Sequence, residues 1–239
     1  MGEQLSKTHN AITMMNNSMC KSSLTGATCA ENDDSLTAIT CESFASEVAA
    51  KKSVPGGGGT AAYVGALAAS LCSMAGNFTL GKIKYADVED DILRLLDVCE
   101  RVRLRLLELV DEDARAFYPL SKAYSIPKDD LGRAQQIEKC TKAAINPPLE
   151  MMHEIAKAIE ALEEMQKKGS RMLQSDVGCG AALAAGAMQA ASLNVFVNTK
   201  ALQDRDFACQ VEGEASELLD YATRAQAVFD KVNAEIRGD

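Results

Sequence analysis

The sequence predicts an all-α protein, a single-domain bundle of about six to eight helices, and three observations carry that prediction. Hydrophobic residues make up 47% of the 239 positions while aromatics are only 5% and Trp is absent. Alanine is abundant from residue 45 onward and β-branched runs are scarce, a bias toward helices packed through small side chains and away from sheets. Apolar residues recur by threes and fours through most of the chain, and the linkers between periodic stretches are short. The length suits one domain of ordinary size.

Residues 1–35 are polar, rich in Ser, Thr, Asn and Met, and without steady periodicity, so they are expected to form a loosely ordered extension with at most a short helix near Ala11–Met19. The domain proper is expected over 36–239. Its first helix should start near Ser35, with Ile39, Phe44 and Val48 on one face, and stop before Val54-Pro55. Gly56-Gly57-Gly58-Gly59-Thr60 then reads as a loop. After it, Val64, Leu67, Leu71, Met74 and Phe78 follow helical spacing, interleaved with Gly65, Ala69, Cys72 and Gly76. A turn at Gly81–Ala86 leads to a long helix from about Asp87 to Ala123, which Ile126-Pro127 ends. Further helices are expected over Leu131–Ala144 and from Asn146-Pro147-Pro148 to Lys168, with Gly169 as a cap. An Ala/Gly-rich helix should open at Ser175 or Asp176 and reach Leu202, and the last should span Asp206–Ile236.

Composition also excludes. A net charge of -9 with no basic stripe argues against nucleic-acid binding. No apolar run reaches the length of a membrane span without Gly, Ser or Asn, and no basic-then-apolar leader is visible, so a cytoplasmic protein without membrane contact is expected. Eight cysteines sit far apart with no CxxC pair, which favours small buried thiols over zinc or disulfides. With His9 and His153 as the only histidines, neither a His-based metal site nor a Ser-His-Asp triad is easily built, and His153 is expected to be structural.

A few residues resist a purely structural account. Four glycines in a row exceed what an interhelical turn needs. They let backbone N–H groups approach a ligand at the positive end of the following helix, although neither a Rossmann nor a Walker spacing is present. Asp113 occupies a leucine's place on the stripe Leu106, Val110, Asp113, Phe117, Leu120. A carboxylate there is paired, protonated or facing a cavity, as a general acid–base group or in an ion pair with Arg115 or Arg171. Asp111 and Glu112, off that stripe, read as solvated surface. Asn194 and Asn198, one turn apart on an alanine face, serve either interhelical hydrogen bonds or a ligand. Asp176 reads as an N-cap, and Lys82 and Lys84 as either an anion contact or solvated charges.

Taken together these segments resemble the cyclodeaminase/cyclohydrolase family, which includes stand-alone methenyltetrahydrofolate cyclohydrolases and the cyclodeaminase domain of formiminotransferase-cyclodeaminase. The resemblance runs in order over roughly 36–230. It rests on Phe44 through the Pro-Gly-Gly-Gly loop, Met74…Asn77…Thr79-Leu80-Gly81-Lys82, the Asp111–Phe117 stretch and Ile126-Pro127-Lys128. Pro148-Leu149, Ser175-Asp176 and Asn194-Val195-Phe196-Val197-Asn198 complete it. Two departures are Thr60, where the family has Ser, and Gly169-Ser170, where Gly-Asn is common. The resemblance implies a homodimer, a tetrahydrofolate derivative as substrate, and a folate groove near the subunit contact. It also implies no cofactor or metal beyond the folate, and a proton-transferring role for Asp113. Gly56, Gly57, Gly58, Gly59, Thr60, Asn77, Lys82, Asp176, Asn194 and Asn198 are then the expected substrate-binding residues. Hydrolysis of 5,10-methenyltetrahydrofolate is the expected reaction, since no transferase accompanies the sequence. Deamination of 5-formiminotetrahydrofolate and non-catalytic folate or protein binding are the alternatives.

Overall fold

The computed structural model describes residues 35–238, and the predicted extension over 1–35 lies almost wholly outside them. Six α-helices follow in order: α1 (Cys41–Ala49), α2 (Gly57–Asn77), α3 (Glu89–Tyr124), α4 (Arg133–Lys168), α5 (Gln174–Thr199) and α6 (Arg205–Arg237). Short 3-10 segments at Ile83–Val88 and Arg171–Leu173 lead into α3 and α5. Among the described residues there is no strand. The all-α bundle is therefore as the sequence predicts.

Helix α4 is the hub, packing on α2, α3, α5 and α6, while α2 pairs with α3 and α5, and α5 with α6. The largest fully buried side chains concentrate on α4, from Met151, Met152 and Ile155 to Ile159, Leu162 and Met165. Against them α2 and α5 present alanines and glycines, and the helices close in accordingly. A β-carbon on Gly65 would lie 2.9 Å from Ile155 Cγ1 and 3.1 Å from Leu106 Cδ1. By length and composition α2 and α5 would suit a membrane span, but 56% and 50% of those windows are buried against the rest of the bundle. Leu106 is wholly buried at this contact. Leu106→Ala should lower unfolding free energy by about 2–5 kcal/mol in urea titration, because the stiff neighbouring glycine face collapses little into the void.

Several boundaries differ from expectation, each for a local reason. The first helix is short, because Thr40 caps it by accepting from the Ser43 N–H (3.1 Å) and the preceding residues form turns. Ile39 and Val48 stay exposed and only Phe44 is buried. Gly57, Gly58 and Gly59 are not loop but the first turn of α2, with Gly56 extended as its N-cap. The helices expected over 131–144 and 146–168 are one continuous α4 with Pro147 and Pro148 inside it. Burial of both proline rings among apolar neighbours offsets the helix penalty that local propensity registers. Helix α5 starts at Gln174 after Leu173, so Asp176 lies in its first turn and not at the cap. Gly169 does terminate α4, though in extended conformation (φ -73) and not left-handed.

The described cysteines are all free, but only Cys72, Cys99 and Cys140 are buried; Cys41, Cys179 and Cys209 are exposed, and Cys20 and Cys29 lie outside the described residues. His153 is a surface residue bonded to Glu214 (2.7 Å), joining α4 to α6.

Candidate active site

Three consecutive acids on α3 point in three directions, as a 100° step per residue requires. Asp111 accepts from the Ser35 hydroxyl (2.6 Å) and the Leu36 N–H (2.8 Å), tying down the entry to the domain. Glu112 forms a forked pair with Arg105 (2.7 and 2.9 Å), which also holds Glu150 and Glu108. Both acids are therefore engaged in the structure, and neither is the bare solvated surface that their place off the stripe implied.

Asp113 points elsewhere. Neither Arg115 nor Arg171 pairs with it, and Arg171 bonds Glu235 instead (3.1 Å). Among the described residues its one side-chain hydrogen bond comes from the Gly59 N–H in the first turn of α2, donated to Oδ2 at 3.1 Å. Burial pushes the carboxyl above the usual carboxylate range, and the Gly59 N–H opposes this only in part. Such a group takes and returns protons closer to neutrality than a solvated aspartate.

The glycines explain themselves at this contact. A β-carbon on Gly58 would lie 2.5–2.7 Å from three carboxyl atoms of Asp113, so only glycine lets α2 begin directly over the carboxylate. The first turn of a helix has N–H groups without intrahelical acceptors. Gly59 gives its own to Asp113; those of Gly57 and Gly58 have no acceptor among the described residues. Thr60 turns its hydroxyl back onto the Gly56 carbonyl (2.8 Å), closing the first turn.

Asn194 and Asn198, near the C-terminal end of α5, face this helix start. A β-carbon on Gly57 would be 3.6 Å from Asn194 Nδ2, an ordinary contact. Together they enclose a cavity of about 180 Å³. Asp113, Gly56, Gly57 and Gly58, Asn194 and Asn198 are its polar wall, and Ser53, Val54, Phe117, Ala144 and Val197 complete it. Of the latter five, Phe117 and Val197 were legible one turn from Asp113 and beside the two asparagines. Ala144 comes from α4 and carried no signal.

Five predicted residues do not line the cavity: Gly59 and Thr60 sit beside it in the first turn of α2, and Asn77, Lys82 and Asp176 lie far from it. α2 runs antiparallel to α5, so Asn77, at the far end of α2, is about 30 Å from the glycines at 1.5 Å per residue. Asp176 is about 27 Å along α5 from Asn194 by the same measure. Lys82 belongs to that distant end, where its ammonium donates to the Ser170 hydroxyl (3.4 Å). There the Ser170 N–H donates to Thr79 (2.8 Å) and the Arg171 N–H to the Tyr85 hydroxyl (3.1 Å). That Arg171 N–H, with Ser170, Lys84 and Lys82 adding to it, holds the Tyr85 phenol below its usual range. Helix length is the reason for the split: a motif spread over a 21-residue helix cannot converge within one chain. Among the described residues no three His, Cys, Asp or Glu side chains gather as metal ligands would.

The chain is similar to known proteins of one family. The family model for formiminotransferase-cyclodeaminase matches residues 40–217. The chain is 34% identical over 202 residues to a methenyltetrahydrofolate cyclohydrolase of Methylorubrum extorquens, covering 83% of this chain and 96% of that one. It is 32% identical over 196 residues to the formimidoyltransferase-cyclodeaminase of Sus scrofa, covering 80% of this chain but only 36% of that protein. The crystal structure of a formiminotetrahydrofolate cyclodeaminase from Thermotoga maritima superposes with a TM-score of 0.73 at 28% identity, over 82% of this chain and 98% of that one.

Proposed function

The chain belongs to the formiminotransferase-cyclodeaminase family of enzymes, and we propose that it is a methenyltetrahydrofolate cyclohydrolase, opening the bridge of 5,10-methenyltetrahydrofolate to 10-formyltetrahydrofolate. The observation that carries the chemistry is the half-buried Asp113 carboxyl set against the open first turn of α2. Of the two relatives matched almost end to end, the cyclohydrolase is the more similar, at 34% against 28% identity for the Thermotoga maritima cyclodeaminase, which supports hydrolysis over deamination.

The methenyl carbon lies between N5 and N10 in a cationic amidinium, and an ionised Asp113 is attracted to it. Asp113 takes a proton from water as the water oxygen bonds to that carbon, and the π pair moves to nitrogen. The hydroxyl proton then leaves, the C=O forms, and the C–N5 bond breaks with its electron pair remaining on N5. N5 receives one proton from Asp113, and the second goes to solvent. Gly57 and Gly58 line the cavity, and their N–H groups, without acceptors among the described residues, are suited to stabilise the negative charge that grows on the one-carbon oxygen.

The test is the methenyl absorbance with and without enzyme in low-phosphate buffer. Protein-dependent decay is expected. Decay at the background rate, with 5-formiminotetrahydrofolate instead converted to the methenyl form and ammonia, would replace hydrolysis by deamination.

We also propose a homodimer in the cytoplasm. Leu67 on α2, Phe78 at its C-cap, and Leu193 and Val197 on α5 are exposed, at 41%, 56%, 68% and 64%, and Cys179, Ala182 and Gly186 continue the α5 stripe. Two antiparallel helices with small and apolar outer faces form a surface suited to close helix packing against a second copy. Light scattering should give twice the 25.5 kDa chain mass. The Leu67→Glu/Leu193→Glu double variant should give a monomer; an unchanged mass would place the contact elsewhere.

A further inference from the structure

The prolines within α4 bear on the site through a carbonyl. In a helix each N–H donates to the carbonyl four residues earlier, so Pro148, which has no N–H, leaves the Ala144 carbonyl without its helical donor. Ala144 is one of the residues that line the cavity. Its carbonyl is taken up by a neighbouring helix: Asn198 Nδ2 on α5 donates to it at 3.4 Å, and to the Asn194 carbonyl at 3.0 Å. Asn194 in turn donates its own Nδ2 to the Ala190 carbonyl at 2.8 Å. Asn198 therefore commits both hydrogens of its NH2 to backbone and leaves its oxygen for the cavity, whereas Asn194 commits one and keeps an N–H beside its oxygen.

We propose that Pro148 is a positioning residue: by freeing the Ala144 carbonyl it fixes Asn198 as a hydrogen-bond acceptor for the N–H edge of a reduced pterin. A pterin presents donors at its 2-amino group and N3, so a fixed acceptor at Asn198 matches that edge, whereas an amide free to turn would offer its own NH2 against it. With Ala144 re-engaged in its own helix, its carbonyl is shared between the new helical N–H and Asn198, and the 3.4 Å contact that spans α4 and α5 weakens. This inference rests on the folate reading above.

Pro148→Ala restores the helical donor and tests the inference. One hydrogen bond's worth of positioning predicts a Kd for tetrahydrofolate, by calorimetric titration, that rises about tenfold. KM for the methenyl substrate rises in step while kcat stays within about twofold, because the contact is the same in ground and transition states. Tm holds or rises, as a helix interior gains an alanine. In an Asn198→Ala background, Pro148→Ala has no further effect on Kd, since both changes act on one contact. Unchanged tetrahydrofolate affinity, additive losses in the double variant, or a fall in Tm would each overturn the inference, the last by making Pro148 a structural residue. Binding is read without turnover. The expected Kd pattern in a chain that does not hydrolyse the methenyl substrate would overturn the hydrolase reading alone, and a wild-type chain that does not bind tetrahydrofolate would overturn both.

Discussion

Asp113→Asn is expected to lower kcat for methenyl hydrolysis by on the order of 10³-fold while leaving tetrahydrofolate affinity nearly intact, the loss typical of removing a positioned general base. Asn is isosteric and still accepts from the Gly59 N–H, so the start of α2 keeps its anchor. The wild-type pH profile should report the same group. Because burial raises the Asp113 pKa, kcat/KM is expected to climb as pH rises through that elevated value and to level off above it. The variant should lose that limb.

Stability should move the other way. A carboxyl whose folded pKa is raised favours the native state when protonated; that contribution is present below the unfolded pKa and is lost as pH rises through the folded one. At neutral pH the ionised Asp113 therefore costs stability. Asp113→Asn should melt higher than wild type at pH 7, with the gap closing in acid. A variant that is inactive and more stable marks a residue kept for chemistry. Equal activity would sink the mechanism, and a lower Tm at pH 7 would show that the carboxylate is a structural partner of α2.

The second large effect belongs to Gly58→Ala. By helix propensity alone alanine should stabilise the first turn of α2 by up to about 1 kcal/mol. The contact predicts the reverse: with the new methyl 2.5–2.7 Å from the Asp113 carboxyl, either the helix start or the carboxylate must move. Overpacking of this kind costs about 1–3 kcal/mol, and displacement of the reacting group by an ångström costs on the order of 10²-fold in turnover. Gly213→Ala is the control, because nothing lies within 4 Å of its β-carbon site on exposed α6. It should stabilise by about 0.5–1 kcal/mol with activity unchanged. If Gly58→Ala behaved like Gly213→Ala in both stability and turnover, the glycine run would be a folding device and not part of the site.

The amino-acid sequence by itself determined the helical class, the register of the long helices and the anomaly at Asp113. Each is a local property: alanine content, spacing by threes and fours, and one charge in a leucine's place are readable along a single helix. It also marked the glycine run and the Asn194/Asn198 pair, because four glycines and two amides on an alanine face are each costly without a purpose.

What only the tertiary structure decided is which marked residues meet. Asn77, Lys82 and Asp176 share motifs with the site residues, yet long antiparallel helices carry them to the opposite end of the bundle. The sequence placed a helix break at Pro147-Pro148 because propensity is a local energy, whereas burial of the prolines within α4 is a gain summed over several helices. The same continuity brings the Ala144 carbonyl to Asn198, a contact between residues 54 positions apart. The partner of Asp113 was equally hidden: a backbone N–H leaves no trace in residue type, and only the packing of α2 on α3 brings the Gly59 N–H to the carboxylate.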